Sequence, residues 1–241
     1  MTLAIALVSD VFFGEGASER LVAALVECRA RGAALAVLPE LPLDPWVPAT
    51  REVRDVDAED DGGPRMRMLA GAARETGVAV VGGMILRGPA RSRFDTAVFL
   101  DADGQRVGIT AKAHVPQEPG FWERDHYDDA HAPARPFAWN DMRFGMQICS
   151  DINRPVATHA LAALGAQVIL HPRATEPDTF AKWRLVLQAT AMTASVWILS
   201  VNRPRSEAGT SVSDEPGDAG SGSLSGNDVN WVPVPRDVRM K

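Results

Sequence analysis

Short apolar runs alternate with amphipathic stretches from Leu3 to Arg203, and several of the runs stop at a residue able to do chemistry. Leu3 to Val8, Ala34 to Leu38, Val78 to Val81, Phe144 to Ile148, Val168 to His171 and Val196 to Val201 read as buried strands. Between them lie stretches with helical spacing. Leu21, Val22, Leu25, Val26 and Cys28 form one apolar stripe, with Ser18 as the expected N-cap and Gly32 as the stop. Pro64 suits the first turn of a helix over 65–76 closed by Gly77, and Val156 to Leu164 and Thr179 to Ala194 read as two further helices. This alternation implies an α/β or mixed layered architecture. Phe94 to Leu100 and Arg106 to Ala111 flank Asp103-Gly104, a strong hairpin signal, so the sheet is not purely parallel. Asp57 to Gly63 reads as an acidic, Gly-rich loop.

A chain of 241 residues can bury one good core, and a single large domain over residues 1–204 is expected. The net charge of −6 disfavours a nucleic-acid or anionic-membrane surface, since both need clustered cations. Leu3 to Val8 is too short for a signal peptide, and no apolar run approaches the roughly 20 residues that span a bilayer. The only cysteines, Cys28 and Cys149, cannot build a disulfide framework and point to a reducing cytoplasm. Cys28 falls on a helical stripe and reads as core. After about Arg205 the character changes. Residues 206–230 are rich in Gly, Ser, Asp and Glu, and Trp231 to Val234 is short and broken by proline, so no strand is expected there. Residues 205–241 are read as an atypical tail.

Glu40 follows one apolar strand, Lys112 a second and Cys149 a third. Side chains at strand ends can converge on a sheet rim, which makes all three candidates for one site. A thiol is a poor nucleophile until it loses its proton, and a carboxylate in a dry pocket can take it. A nearby ammonium would stabilise the thiolate and the oxyanion of a tetrahedral intermediate. His114 and His171 leave a Cys–His arrangement open, in which His114→Ala abolishes activity. Asp151 reads as a cap for the helix after Cys149 or an arginine partner. His126 and His131 share one loop without a clustered third metal ligand.

Leu38-Pro39-Glu40, the run ITAKAHVPQEPGFWERDHY at 109–127, FGMQICSDINRP at 144–155, LAALGAQVILHPRAT at 161–175 and WRLVLQATAMTASVWILSVNR at 183–203 resemble the nitrilase, or carbon–nitrogen hydrolase, superfamily. The resemblance covers about residues 3–204. It implies a four-layer α-β-β-α sandwich, and it implies roles for four side chains. Glu40 would be the general base and acid, Lys112 the oxyanion-stabilising cation and Cys149 the nucleophile. Glu123 would position substrate and Lys112, with Glu118 as its competitor. The backbone N–H of Ser150 would add an oxyanion donor at the strand-to-helix turn. The implied reaction is cleavage of a small carboxamide or N-carbamoyl compound through a thioester, without metal or organic cofactor. A nitrile substrate and an inactive partner subunit are the alternatives.

Trp46, Phe121 and Trp122 are candidate pocket walls, and Arg173 and Arg154 candidate anchors for a substrate carboxylate. The resemblance also implies association through outer helices, hence a homodimer or higher homo-oligomer. Thr190 and Thr193 stand where the family usually carries an arginine and a glutamate, and Asp129-Ala130 where it usually has a Pro-Gly turn. The tail departs further, because the family continues past Arg203 into a hairpin and more strands. Residues 206–241 lack that pattern, so a truncated or altered C-terminus without the closing strands is expected.

Overall fold

A computed structural model describes residues 2–204 and the backbone of residues 229–235. In chain order its elements are β1 (Thr2–Val8), α1 (Ala17–Ala30), β2 (Leu35–Val37), β3 (Ala58–Glu59), α2 (Pro64–Thr76), β4 (Ala79–Arg87), β5 (Arg93–Leu100), β6 (Arg106–Ala111), α3 (Glu123–His126), β7 (Phe137–Trp139), β8 (Met142–Met146), α4 (Pro155–Ala163), β9 (Val168–Arg173), α5 (Phe180–Ala194), β10 (Trp197–Asn202) and β11 (Val229–Pro235). One sheet runs β11-β1-β2-β4-β5-β6, with β3 paired to β4, and the other runs β10-β9-β8-β7. The β5–β6 hairpin turns at the expected Asp103-Gly104 and makes the first sheet mixed.

The core has three seams. Leu21, Leu25 and Cys28 of α1 and Leu69 and Ala73 of α2 pack on Ala36, Val80 and Val98 of the first sheet. Ile5, Val37, Val81 and Phe99 meet Phe144, Met146, Leu170 and Val201 between the sheets. Leu161, Ala194 and Ile169 close the second sheet against α4 and α5. The chain is therefore the four-layer α-β-β-α sandwich. Strands covered on both faces bury their side chains, all of β2 and all of β4 up to Arg87, which is why the two read as continuous apolar runs rather than alternating ones. At roughly 1.5–3 kcal/mol per fully buried large apolar side chain, these seams dominate the favourable side of folding.

Several expectations need correction. Helix α1 starts at Ala17, with Gly16 at φ 68° as its N-cap in place of Ser18, and Val26 is exposed rather than part of the stripe. Part of the supposed acidic loop is β3, whose buried Glu59 accepts from the Arg65 and Met66 amides and so caps α2. Strand β4 runs on past Val81 through Gly82-Gly83. A Cβ at Gly83 would lie 3.2 Å from the Leu41 amide nitrogen, so the glycine leaves room for the loop that carries Glu40. A short strand, β7, joins β8 through Asn140-Asp141, both at positive φ, a tight hairpin turn that the sequence reading did not use.

The stretch around Trp231 is a strand after all. Strand β11 pairs antiparallel with the whole of β1, from Thr2 opposite Pro235 to Val8 opposite Val229. Two prolines are tolerated because β11 is outermost in its sheet; two residues apart, they share one side of the strand, where a missing N–H costs no ladder bond if it faces outward. The remaining tail expectations fall on 205–228 and 236–241, outside the described residues. Among the described residues no helix is long and apolar enough to cross a membrane.

Candidate active site

Glu40, Lys112 and Glu123 meet at the rim where β2 and β6 end. Lys112 Nζ donates to Glu40 Oε1 at 2.6 Å and also to Glu123 Oε2, and all three side chains are shut off from solvent. Lys112 is held by its backbone: its amide donates to the Asp95 carbonyl at 2.8 Å and its carbonyl accepts from Ala130. Glu123 opens α3, and the Tyr127 hydroxyl one turn later donates to its Oε2 at 2.6 Å. Glu118, the competitor for the second-glutamate role, is exposed on a tight turn closed with Phe121.

The loop after Glu40 is pinned from the far end of the fold. Arg203, buried just past β10, donates to the carbonyls of Glu40 at 2.8 Å, Leu41 at 2.5 Å and Asp44 at 2.8 Å. Its guanidinium also lies 5.5 Å from the Trp46 ring. These bonds hold Leu41 at φ 45°, a backbone that costs a non-glycine residue about 1–3 kcal/mol. Neither Arg203 nor Tyr127, the one tyrosine of the chain, was singled out in the sequence, because each acts only on a partner distant in fold or role.

Cys149 follows β8 and sits at φ 43°, the second strained residue of the site. Its thiol donates to the Ala174 carbonyl at 3.4 Å. Its carbonyl is held by His171 Nε2 at 2.9 Å. The tautomer follows from the chain of partners. Arg173 Nε can only donate to Ser200 Oγ, leaving the Ser200 proton for His171 Nδ1 and putting the imidazole proton on Nε2. Burial lowers the His171 pKa to about 3, so the ring stays neutral. His171 thus holds the Cys149 backbone, and His114 is bonded to Asp151 at 3.1 Å; neither is a partner of the thiol. The Cys–His arrangement has no geometric support.

Asp151 ties the two halves together. Its Oδ1 accepts from the Ala113 and His114 amides at 3.0 and 2.9 Å and its Oδ2 from Ile148 at 3.3 Å, which fixes the residue after Lys112 against the turn holding Cys149. The Ser150 hydroxyl adds a bond to the His114 carbonyl. The capping expected of Asp151 is present as its bond to the Ile148 amide at the start of the Cys149–Asn153 turn, and the same carboxylate makes this cross-link.

Burial sets the electrostatics. It pushes the Cys149 thiol well above its ordinary value, with Glu40 adding to the rise and Lys112 opposing it, so the resting group is a neutral thiol. Burial also works against the Lys112 ammonium, but Glu123 and Glu40 outweigh it and hold the pKa above the usual lysine value. Glu123 is pushed up to about 7 by burial, against the pull of Lys112. A neutral thiol near a fixed ammonium and a carboxylate is a site that must move one proton before it can attack.

The other predicted contacts are spread out. Trp46 is buried, donates from Nε1 to the Gly120 carbonyl at 2.9 Å and meets Phe121 edge-on at 5.6 Å. Both join Leu41, Tyr127 and Ala174 in one apolar cluster bordering the polar site. Trp122 carries Arg51 on its face at 3.8 Å. Arg173 is buried and engaged with Ser200 and Thr175, and Arg154 is exposed. His126 is bonded to the Thr50 carbonyl.

Sandwich and rim cluster together define a protein of the nitrilase type. The carbon–nitrogen hydrolase family model matches residues 15–214, and the chain belongs to that family. N-carbamoylputrescine amidase of Solanum tuberosum is 29% identical over 149 residues, covering 59% of this chain and 49% of the relative. The Arabidopsis thaliana enzyme of the same name is 28% identical over 211 residues, 84% of this chain and 69% of its own length. The chain thus spans about half the length of the former. A Nesterenkonia amidase from the nitrilase superfamily superposes with a TM-score of 0.78 at 23% identity, over 97% of this chain and 90% of that one. Another structure of that amidase shows acrylamide added at its active site cysteine. At such identity the likeness shows the fold.

Proposed function

We propose that the protein hydrolyses the non-peptide C–N bond of a small carboxamide or N-carbamoyl compound, with Cys149 as nucleophile. The observation that carries this reading is the buried Lys112 ammonium held between Glu40 and Glu123, close enough to Cys149 for both charges to act on the thiol. Glu40 takes the thiol proton as Sγ attacks the carbonyl carbon. The Lys112 ammonium and the Ser150 amide stabilise the oxyanion, a contribution of about 3–4 kcal/mol per well-placed donor. Glu40 then returns the proton to the departing ammonia or amine, leaving a thioester. Water, deprotonated by Glu40, releases the acid and restores the thiol. Trp46, Phe121 and Trp122 would wall the pocket, since two of them belong to the apolar cluster beside the site. The names of the relatives favour an N-carbamoyl substrate. Two free cysteines suit a reducing, cytoplasmic setting.

Ammonia release from a panel of N-carbamoyl amines, primary amides and nitriles, run beside Cys149→Ala, tests the reading. Release from the first two classes that vanishes in the variant is expected. Turnover that survives Cys149→Ala, or a soluble folded protein silent on the whole panel, would overturn it.

The same helices that cover the second sheet leave Val156 of α4 and Leu185 and Met192 of α5 exposed, at 81%, 67% and 74%. Apolar side chains this open on adjoining helices support a homodimer that buries them. Sedimentation is expected to give twice the chain mass, and Leu185→Lys with Met192→Lys is expected to give the monomer; a wild-type monomer would refute the assembly.

A further inference from the structure

Asp95 lies on β5 in the wall of the site and is almost wholly buried, and the scheme above gives it no task. No N–H or hydroxyl among the described residues donates to either of its carboxyl oxygens, and the same is true of Glu40 Oε2. Glu40 Oε1 is already taken by Lys112. The Glu40 carboxyl, whose Oε2 is buried and equally without a donor, lies close enough to Asp95 for its charge and a shared proton to act on it. Two carboxylates have no proton to share, so this contact is attractive only if one of them is an acid. A buried charge without a donor is also far costlier than a buried acid with an acceptor.

We propose that Asp95 is a positioning residue that remains protonated and donates its proton to Glu40, holding that carboxylate against Lys112 and beside Cys149. The groups around the pair are Lys112 at the end of β6, Glu123 on α3, Tyr127 just after it, and Cys149 after β8. Burial drives Asp95 toward the acid form first, the Glu40 charge and hydrogen bond next, and Lys112 alone among the leading influences opposes them. Which carboxyl keeps the proton follows from the partners: Glu40 has an ammonium at 2.6 Å and Asp95 has none that close. The outcome is one ionised base where two adjacent carboxylates would repel, with its free oxygen satisfied and its orientation set.

This inference rests on Glu40 being the base for Cys149, so its test includes readouts that need no substrate. The infrared difference between wild type and Asp95→Asn should show a protonated-carboxyl stretch near neutral pH that the variant lacks; no such band would overturn the proposal even in an active enzyme. Asp95→Leu, which keeps the branching at Cγ and loses the donor, should lower kcat about 10- to 100-fold with KM little changed. Asp95→Asn, a neutral donor, should rescue most of that loss. It should also leave the acid limb of the pH profiles for turnover and for Cys149 alkylation within about 0.3 units, because no charge is removed. A fall of that limb by about a unit or more in Asp95→Asn would mean that Asp95 is ionised, and a fully active Asp95→Leu would mean that it positions nothing. If the wild type hydrolyses nothing while the infrared band is present, the catalytic reading fails and the shared proton stands.

Discussion

Lys112→Met is expected to abolish hydrolysis and to destabilise the fold far more near pH 8 than near pH 5. The methionine fills most of the lysine's volume, so packing is nearly conserved. What disappears is the one cation among the described residues that is hydrogen-bonded to both Glu40 and Glu123. Loss of the oxyanion-stabilising charge alone should lower kcat/KM by about a thousandfold. Breaking a buried pair by removing one partner typically costs about 3–5 kcal/mol, because a charge is left without compensation. That cost depends on pH in a known direction. Glu123 already titrates at about 7 in the fold against an ordinary 4.5, and without Lys112 its pKa must climb further. A carboxyl whose folded pKa is raised contributes stability that is whole below its ordinary value and is lost as pH rises through the folded one. At the acid end the orphaned carboxyls take up protons and the variant is nearly rescued. At the alkaline end they remain charged and buried. Urea midpoints at the two pH values check this, and a deficit independent of pH would mean that Lys112 is not what neutralises the site.

Local rules reach only part of this cluster. Glu40, Lys112 and Cys149 are legible because each ends an apolar run, and an abrupt polar residue there is a local signal. Glu123 sits in a segment without periodicity, and only the family resemblance singles it out. Asp95 was missed because a polar residue inside a strand ordinarily marks the solvent face. Its strand is buried from Asp95 to Leu100, however, and an acid inside such a doubly covered run was the available sign. Arg203 and His171 act on backbone carbonyls far away in sequence, which no spacing rule reveals. Errors at the periphery have the same origin. Pro233 and Pro235 weigh against a strand only if it is central, and edge placement is a property of the whole sheet. The register of β7 was encoded in Asn140-Asp141, but its value depends on Phe99 packing against Phe137 and Trp139 at 5.1 Å across the sandwich.

Glu40→Gln should separate the base from the nucleophile. The amide keeps the shape, and its oxygen can still accept from Lys112, so the fold and the Lys112 position should survive. It cannot take a proton. Attack then requires the buried, neutral Cys149 thiol to lose its proton without a positioned acceptor, and a loss of about a hundred- to ten-thousandfold in kcat/KM is expected. Cys149→Ala, by contrast, removes the only atom that can carry the acyl group and should leave no covalent intermediate at all. Intact-mass measurement distinguishes the two. Glu40→Gln should acylate slowly and, because the proposed scheme has the same carboxylate activate the hydrolytic water, should also hold its thioester long enough to be weighed. A variant that acylates slowly but clears its thioester at the wild-type rate would assign the second proton transfer to another group. The candidate is then Glu123, already bonded to Lys112 and titrating at about 7, where a group can both take and return a proton at neutral pH.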